Sequence, residues 1–241
     1  MLQTEWNGFR RIDFIFQGRE AILVFPSSQN RTAKWLLKTE YFDAFPNCEI
    51  ELVKRGFHLA YLKNINRWGT DADQDAKRDF AQHLTAEFGL ADRCVPVGMS
   101  CGGLHAVNLA SRHPEIVAAL YLDAPVLNLL SCPGGMGCAD YSESMWQELV
   151  DAYGFSRSEL ITYRQHPIDR LDILLRNKIP VILVYGDSDP VVPYCENGAV
   201  LEQYYRENGG ILKVIGKPGC GHHPHGLADP APIVDFILAH A

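Results

Sequence analysis

The chain lacks three features that would each assign it to another class of protein: a long apolar run, a basic cluster and a paired-cysteine motif. No apolar stretch reaches the roughly 20 residues that a membrane-spanning helix needs, and the N-terminus has no basic segment followed by an apolar one. With 22 Lys and Arg against 29 Asp and Glu, the formal net charge is −7. We therefore expect no membrane, no nucleic acid and no secretion signal.

The cysteines are few, odd in number and scattered. Seven occur, and none forms a C-x-x-C pair. This usage is typical of a reducing compartment, so a cytoplasmic location is expected. The sequence also lacks an H-E-x-x-H motif, which disfavours a zinc site built from the histidines near the C-terminus.

Short apolar runs alternate with stretches of helical periodicity along the whole chain. With 241 residues, of which 47% are hydrophobic, the sequence fits a single domain, 1–241. Continuous apolar runs predict strands that are covered on both faces, hence a mainly parallel sheet with helices on either side. The predicted strands are 21–25, 58–62, 94–97, 117–122, 180–185 and 211–215, with 11–17 as an antiparallel edge strand. The predicted helices are 47–56, 71–88, 104–112, 195–208 and 232–240.

One connection is too long for a simple crossover. Residues 124–179 separate two predicted strands and contain Trp146, Tyr153 and Tyr163, with a capping-box pattern from Ser156 to Glu159. An insertion at the carboxyl end of a parallel sheet is placed to cover a ligand site, so we interpret it as a lid. The alternative is a structural elaboration whose aromatic side chains pack into a core.

A serine lies at a predicted sharp turn between a strand and a helix. Residues 98–102 read G-M-S-C-G and stand between the strand 94–97 and the helix 104–112. Glycines at such a turn let strand and helix approach closely, and the serine hydroxyl stands clear of the sheet. The motif alone is not specific, but this context makes Ser100 a candidate nucleophile.

A serine nucleophile needs a base, and the base needs an acid that orients it. Residues 186–193 read G-D-S-D-P-V-V-P, and residues 216–226 read G-K-P-G-C-G-H-H-P-H-G; each follows a predicted strand. Both segments should therefore meet Ser100 at the carboxyl edge of the sheet, where open α/β sheets place their sites. The order along the chain is Ser, Asp, His.

In these three motifs and their order, the chain resembles the α/β-hydrolase superfamily from about residue 11 to the C-terminus. The serine turn resembles the nucleophile elbow, residues 186–193 resemble the acid loop G-x-x-D-x-x-V-P, and Gly221-His222 resembles the late histidine loop. The resemblance implies the α/β-hydrolase fold with a helical lid. It also implies that Asp189 is the acid and His222 the base. The ending further resembles small bacterial serine hydrolases that are proposed to act on acylated sugars.

Neighbouring residues compete for two of these roles. Asp187 competes with Asp189 for the role of the acid. An aspartate at the position of Asp187 in a turn, however, more commonly accepts hydrogen bonds from local backbone amides. Asp123 follows a predicted strand at a position where some family members keep the acid, and its other role would be to cap the start of the lid. His223 and His225 compete with His222.

The resemblance also implies an oxyanion hole. One donor should be the backbone N–H of Cys101, directly after the nucleophile. The second should come from the loop after the first parallel strand, which we place at residues 26–30, with Ser27 as the donor and Ser28 as the alternative. Many relatives carry His-Gly there, whereas this chain has Pro26-Ser27.

The sequence therefore predicts a serine esterase that forms an acyl-enzyme on Ser100 and needs no cofactor and no metal. A small-molecule ester, short-chain or carried by a carbohydrate, is the expected substrate. A small peptidase of the same fold and a non-catalytic binding module are the alternatives. The oligomeric state stays open.

Overall fold

The computed structural model describes residues 2–241 and forms one nine-stranded sheet with eight α-helices among these residues. The strands are β1 (Leu2–Trp6), β2 (Phe9–Phe16), β3 (Arg19–Val24), β4 (Trp35–Lys38), β5 (His58–Leu62), β6 (Val95–Met99), β7 (Leu120–Asp123), β8 (Val181–Gly186) and β9 (Leu212–Lys217). The helices are α1 (Asn47–Lys54), α2 (Asp71–Phe88), α3 (Cys101–Arg112), α4 (Glu143–Tyr153), α5 (Arg157–Thr162), α6 (Leu171–Arg176), α7 (Gly198–Glu207) and α8 (Ala231–His240).

The sheet is mainly parallel, as predicted. Its order is β1-β2-β3-β5-β4-β6-β7-β8-β9. The pairs β1–β2, β2–β3 and β3–β5 are antiparallel, and every pair from β5 to β9 is parallel. Helices α2, α3, α6 and α7 pack on one face of the sheet and α1 and α8 on the other. The predicted α/β-hydrolase fold is confirmed.

Two strands of the structure, β1 and β4, were not predicted from the sequence. β1 extends the antiparallel edge, and β4 lies in the middle of the sheet between β5 and β6. β4 is only four residues long and entirely buried, and it includes Lys38, whose ammonium pairs with the buried carboxylate of Glu49. A charged residue interrupts the apolar pattern by which a buried strand is predicted. The sequence does not show that the charge is neutralised, because the partner lies elsewhere in the chain.

Several predicted boundaries shift by a few residues. The helix expected from residue 104 begins at Cys101, so the turn at Ser100 leads directly into it. The helix expected from residue 195 begins at Gly198, after a separate 3₁₀ turn at Tyr194–Glu196. Helix α1 begins at Asn47, as predicted, and ends at Lys54, two residues before the predicted end.

The insertion, residues 124–179, holds α4, α5 and α6. The capping box at Ser156 and Glu159 forms as predicted. The side chain of Trp146 is buried, and the rings of Tyr153 and Tyr163 lie 5.7 Å apart in a T-shaped pair. Trp146, Tyr153 and Tyr163 thus pack into a core that also contains Trp68 and Leu104 from outside the insertion. Met145 is the residue of the insertion that lines the cavity described below.

None of the helices within residues 2–241 combines the length and the hydropathy that crossing a bilayer requires.

Candidate active site

Ser100 stands at a strained turn between β6 and α3. Its backbone adopts φ 54° and ψ −122°, a conformation that residues with a side chain rarely adopt. A Cβ on Gly98 would lie 2.5 Å from the carbonyl oxygen of Gly102, and one on Gly103 would lie 2.3 Å from the Cβ of Pro125. Gly98 is therefore required for the close approach of β6 and α3, and Gly103 for the packing of α3 against the segment after β7. The turn holds the Ser100 hydroxyl at the carboxyl edge of the sheet.

The structure brings Ser100, His222 and Asp189 into one hydrogen-bonded chain. Nε2 of His222 lies 3.0 Å from Oγ of Ser100, and Nδ1 lies 2.7 Å from Oδ2 of Asp189. The three side chains come from segments that follow β6, β8 and β9. These strands are parallel, and β7 lies between β6 and β8. This is the arrangement of a nucleophile, a base and the acid that orients the base.

Asp189 is held as a carboxylate by three hydrogen bonds. Burial opposes its ionisation, but the hydrogen bond with His222 and the N–H groups of Val192 and Val191 outweigh burial and lower the pKa of Asp189 below its usual value. The two N–H groups donate to Oδ1 at 2.9 and 3.0 Å. An ionised Asp189 fixes the His222 tautomer that carries its proton on Nδ1 and leaves Nε2 free to accept one.

The two competing aspartates have other partners. Asp187 accepts hydrogen bonds from the hydroxyl of Ser188 and the N–H of Gly219, a local turn role of the kind expected for it. Asp123 is fully buried and accepts from the ring of His225 at 2.8 Å and from the N–H of Gly226 at 2.7 Å. Asp123 therefore neither pairs with His222 nor caps the insertion.

The other two histidines surround His222 without contacting Ser100. His225 is buried and turned toward Asp123, whereas His223 is exposed and stacks on the ring of Phe45 at 5.7 Å. Each of the two rings lies 4.9 Å from that of His222. Among the three, only His222 bridges a serine and an acid.

Cys101 follows the serine and opens α3. As the first residue of the helix, it has a backbone N–H without an intrahelical partner, free for a substrate oxygen beside Ser100. Burial raises the pKa of its thiol to about 11, so the side chain stays protonated at neutral pH and is a poor nucleophile.

The position of Ser27 corrects the sequence analysis. Ser27 is exposed and lies in a separate surface cleft with Arg10 and Arg31. It follows β3, which runs antiparallel to β5, so the end of β3 lies at the edge of the sheet opposite to Ser100. The expectation of Ser27 as an oxyanion donor was therefore wrong, because β3 was taken for the first parallel strand.

The loop after β4 occupies the position that was assigned to Ser27. Within this loop, Tyr41 adopts φ 53° and lines the same cavity as Ser100 and Cys101. Burial, followed by the nearby Cys101, raises the pKa of the Tyr41 hydroxyl well above its usual value. Sequence analysis missed this residue with its strand; the apolar run Trp35-Leu36-Leu37 was the signal that could have found it.

A cavity of about 360 Å³ opens at Ser100. Its wall is largely apolar, and α4 of the insertion contributes Met145 to it. Arg67 places a cation at the wall, hydrogen-bonded to Glu148 at 2.8 Å. The residues that line the cavity are Tyr41, Ala44, Phe45, Arg67, Met99, Ser100, Cys101, Met145, Val191, His222, His223 and His225.

Fold and motif order together define a serine hydrolase of the α/β-hydrolase superfamily. More narrowly, the chain belongs to the prolyl oligopeptidase family, whose sequence model matches residues 56–238. A search of curated proteins found no match.

Solved structures share the fold at low sequence identity. The acylaminoacyl peptidase of Pyrococcus horikoshii superposes with a TM-score of 0.69 at 13% identity, over 91% of this chain and 40% of that one. A puromycin hydrolase gives 0.71 at 20% identity, over 96% and 38%. Dipeptidyl peptidase 4 of Porphyromonas gingivalis gives 0.69 at 14% identity, over 98% and 36%. The chain thus spans at most 40% of the length of these three proteins.

Proposed function

We propose that this protein hydrolyses acyl bonds through a covalent intermediate on Ser100. The observation that carries the proposal is the hydrogen-bonded chain from Ser100 through His222 to Asp189 at the wall of a cavity. Nε2 of His222 takes the proton of the hydroxyl as its oxygen attacks the substrate carbonyl, and then returns that proton to the leaving group. Water attacks the acyl-enzyme in the same way and releases the acid.

The oxyanion of the tetrahedral intermediate needs two donors. We assign one to the N–H of Cys101 and the other to the loop after β4, where Tyr41 lines the cavity together with Ala44 and Phe45. Removing one such donor typically costs about 3–4 kcal/mol of transition-state stabilisation. The loop after β4 therefore contributes to rate as well as to the shape of the cavity.

Short peptides and aminoacyl amides are the substrate class that we propose. Membership of the prolyl oligopeptidase family supports it, and the structural neighbours bear the names of peptidases and of a puromycin hydrolase. Met99, Met145 and Val191 contribute apolar surface to the cavity, which suits an apolar side chain or a small acyl group.

Short carboxylic esters are the second candidate, and the size and apolar wall of the cavity favour a short acyl chain. Carbohydrate esters receive less support. Trp146, an aromatic residue of the insertion that was interpreted as a lid, is buried in a core and does not line the cavity.

The test is a substrate panel. Aminoacyl and dipeptidyl p-nitroanilides, p-nitrophenyl acetate, butyrate and octanoate, and an acetylated xylo-oligosaccharide are compared with wild type, Ser100→Ala and the remote control Ser27→Ala. We expect anilide hydrolysis that falls at least about a thousandfold in Ser100→Ala and is retained in Ser27→Ala. Hydrolysis of esters alone would replace the peptidase proposal by the esterase. Equal rates in wild type and Ser100→Ala would refute the mechanism and favour a binding module.

A further inference from the structure

Three histidine rings converge at the active site, and the proposed mechanism uses only one of them. His222, His223 and His225 each offer a ring nitrogen, and the three nitrogens lie within 4.8 Å of one another. The rings stand edge to face, with each pair of centroids 4.9 Å apart. Phe45 packs against His223 and His225 and covers one side of this histidine cluster.

Two of the three rings are held from behind by carboxylates. Asp189 binds Nδ1 of His222 at 2.7 Å, and Asp123 binds Nδ1 of His225 at 2.8 Å. Both carboxylates are buried. In each case the carboxylate engages Nδ1, so Nε2 is the second ring nitrogen, and in His222 this Nε2 also faces Oγ of Ser100. A carboxylate on the far nitrogen orients the ring and raises its basicity, as it does for histidines that bind zinc.

We propose that the histidine cluster binds a divalent transition-metal cation, with zinc as the representative ion. Imidazole nitrogens suit zinc, copper and nickel. Three nitrogens on one tetrahedral zinc lie about 3.3 Å apart, given Zn–N bonds of about 2.0 Å. The nitrogens must therefore draw together by up to about 1.5 Å from their present separations. His223 is exposed and can supply much of this movement by rotating its side chain.

Such a site is inhibitory, a consequence that rests on the proposed function. Nε2 of His222 lies 3.0 Å from Oγ of Ser100 and is the atom that must accept the serine proton. A metal on that nitrogen occupies the same lone pair, so the serine loses its base. Removing the metal with a chelator restores the free nitrogen and hence the activity.

The experiment measures binding of Zn²⁺ to the full chain by calorimetry, separately from activity. Cys138 and Cys195 carry exposed free thiols, a residue type that binds zinc, so every protein carries Cys138→Ser and Cys195→Ser. We expect one zinc per chain and at least a tenfold weaker affinity in His223→Ala. His240→Gln is the matched control, because His240 lies beside Trp35 at the opposite edge of the sheet.

Further variants separate folding effects from loss of a ligand. Asp123→Asn keeps the shape of the support behind His225 and should weaken zinc by about 10- to 100-fold. Co²⁺ in place of Zn²⁺ should give the visible absorption of a low-coordinate nitrogen site, lost in His223→Ala. Zinc affinity that is unchanged in both His223→Ala and Asp123→Asn, or no binding at millimolar Zn²⁺, would overturn the site.

Activity then tests the inhibitory role. Hydrolysis of p-nitrophenyl acetate, normalised for each variant to its own metal-free rate, should fall with Zn²⁺ and recover with EDTA. The half-inhibitory concentration should rise at least tenfold in His223→Ala. Zinc binding without inhibition would refute the inhibitory role. If the protein hydrolyses none of the substrates, calorimetry still decides the metal site, so the two proposals fail separately.

Discussion

Replacing Asp189 by Asn is the sharpest test of the hydrogen-bonded chain at Ser100. The substitution keeps size and shape and removes the charge. The asparagine oxygen can still accept from the N–H groups of Val191 and Val192, which now bind Oδ1. Its amide nitrogen then faces Nδ1 of His222, where Asp189 Oδ2 accepts at 2.7 Å.

An amide donor at this point reverses the tautomer of His222. Nδ1 must accept from the asparagine, so the proton moves to Nε2, which lies 3.0 Å from Oγ of Ser100. A protonated Nε2 cannot take the serine proton. The corresponding change in other Ser-His-Asp enzymes lowers kcat about 10⁴-fold, which corresponds to about 5.5 kcal/mol of barrier. We expect a loss of this size for Asp189→Asn.

The assay compares kcat and KM for the best substrate of the panel. Asp187→Asn is the matched control, because Asp187 lies two residues away and its side chain bonds Ser188 and Gly219. It should keep kcat within a few-fold of wild type. A loss of less than tenfold in Asp189→Asn, or equal losses in the two variants, would show that Asp189 does not orient the base.

Three further predictions concern stability. Burial lowers the pKa of His58 to about 4, below that of a histidine in the unfolded chain. When the pH falls from about 7.5 to about 5, the unfolded chain therefore gains a proton at this position and the folded chain does not. Over this change of pH, the free energy of unfolding in urea should fall by about 2 kcal/mol more in wild type than in His58→Leu. Glu49→Gln leaves the buried ammonium of Lys38 uncompensated and should lower the free energy of unfolding by about 3–5 kcal/mol. The double variant Lys38→Met/Glu49→Leu removes both charges and should recover most of that loss in the same unfolding assay. Gly103→Ala forces a Cβ to within 2.3 Å of Pro125 and should lower the melting temperature, with a cost of about 1–3 kcal/mol; an unchanged transition would contradict the tight packing of α3.

Local patterns in the sequence were sufficient for most of the fold. Strands such as β5 and β8 are continuous apolar runs, and α2 was predicted with the bounds that the structure gives it. The turn at Ser100 is determined locally as well, because glycines on either side permit the close approach of strand and helix.

The error at Ser27 arose because the order of strands is a long-range property. β3 looks like any buried strand, and nothing local shows that it runs antiparallel to β5. The four residues of β4 are too few for a periodic signal, and Lys38 makes them look like a boundary, since its partner Glu49 lies on α1. The loop that contains Tyr41 was therefore missed.

The sequence by itself determined the class of fold and the order of the three motifs, since a serine turn, an acid loop and a histidine loop each follow an apolar run. The resemblance implied that His222 is the base and Asp189 the acid, but two other histidines and two other aspartates stayed as competitors. Only the tertiary structure decided these pairings. It directs Asp189 to His222 and Asp123 to His225. His222 and His225 are close in sequence but bind acids from the loop after β8 and from the end of β7. The sequence could not show this, because a hydrogen bond acts over about 3 Å in space whatever the separation along the chain.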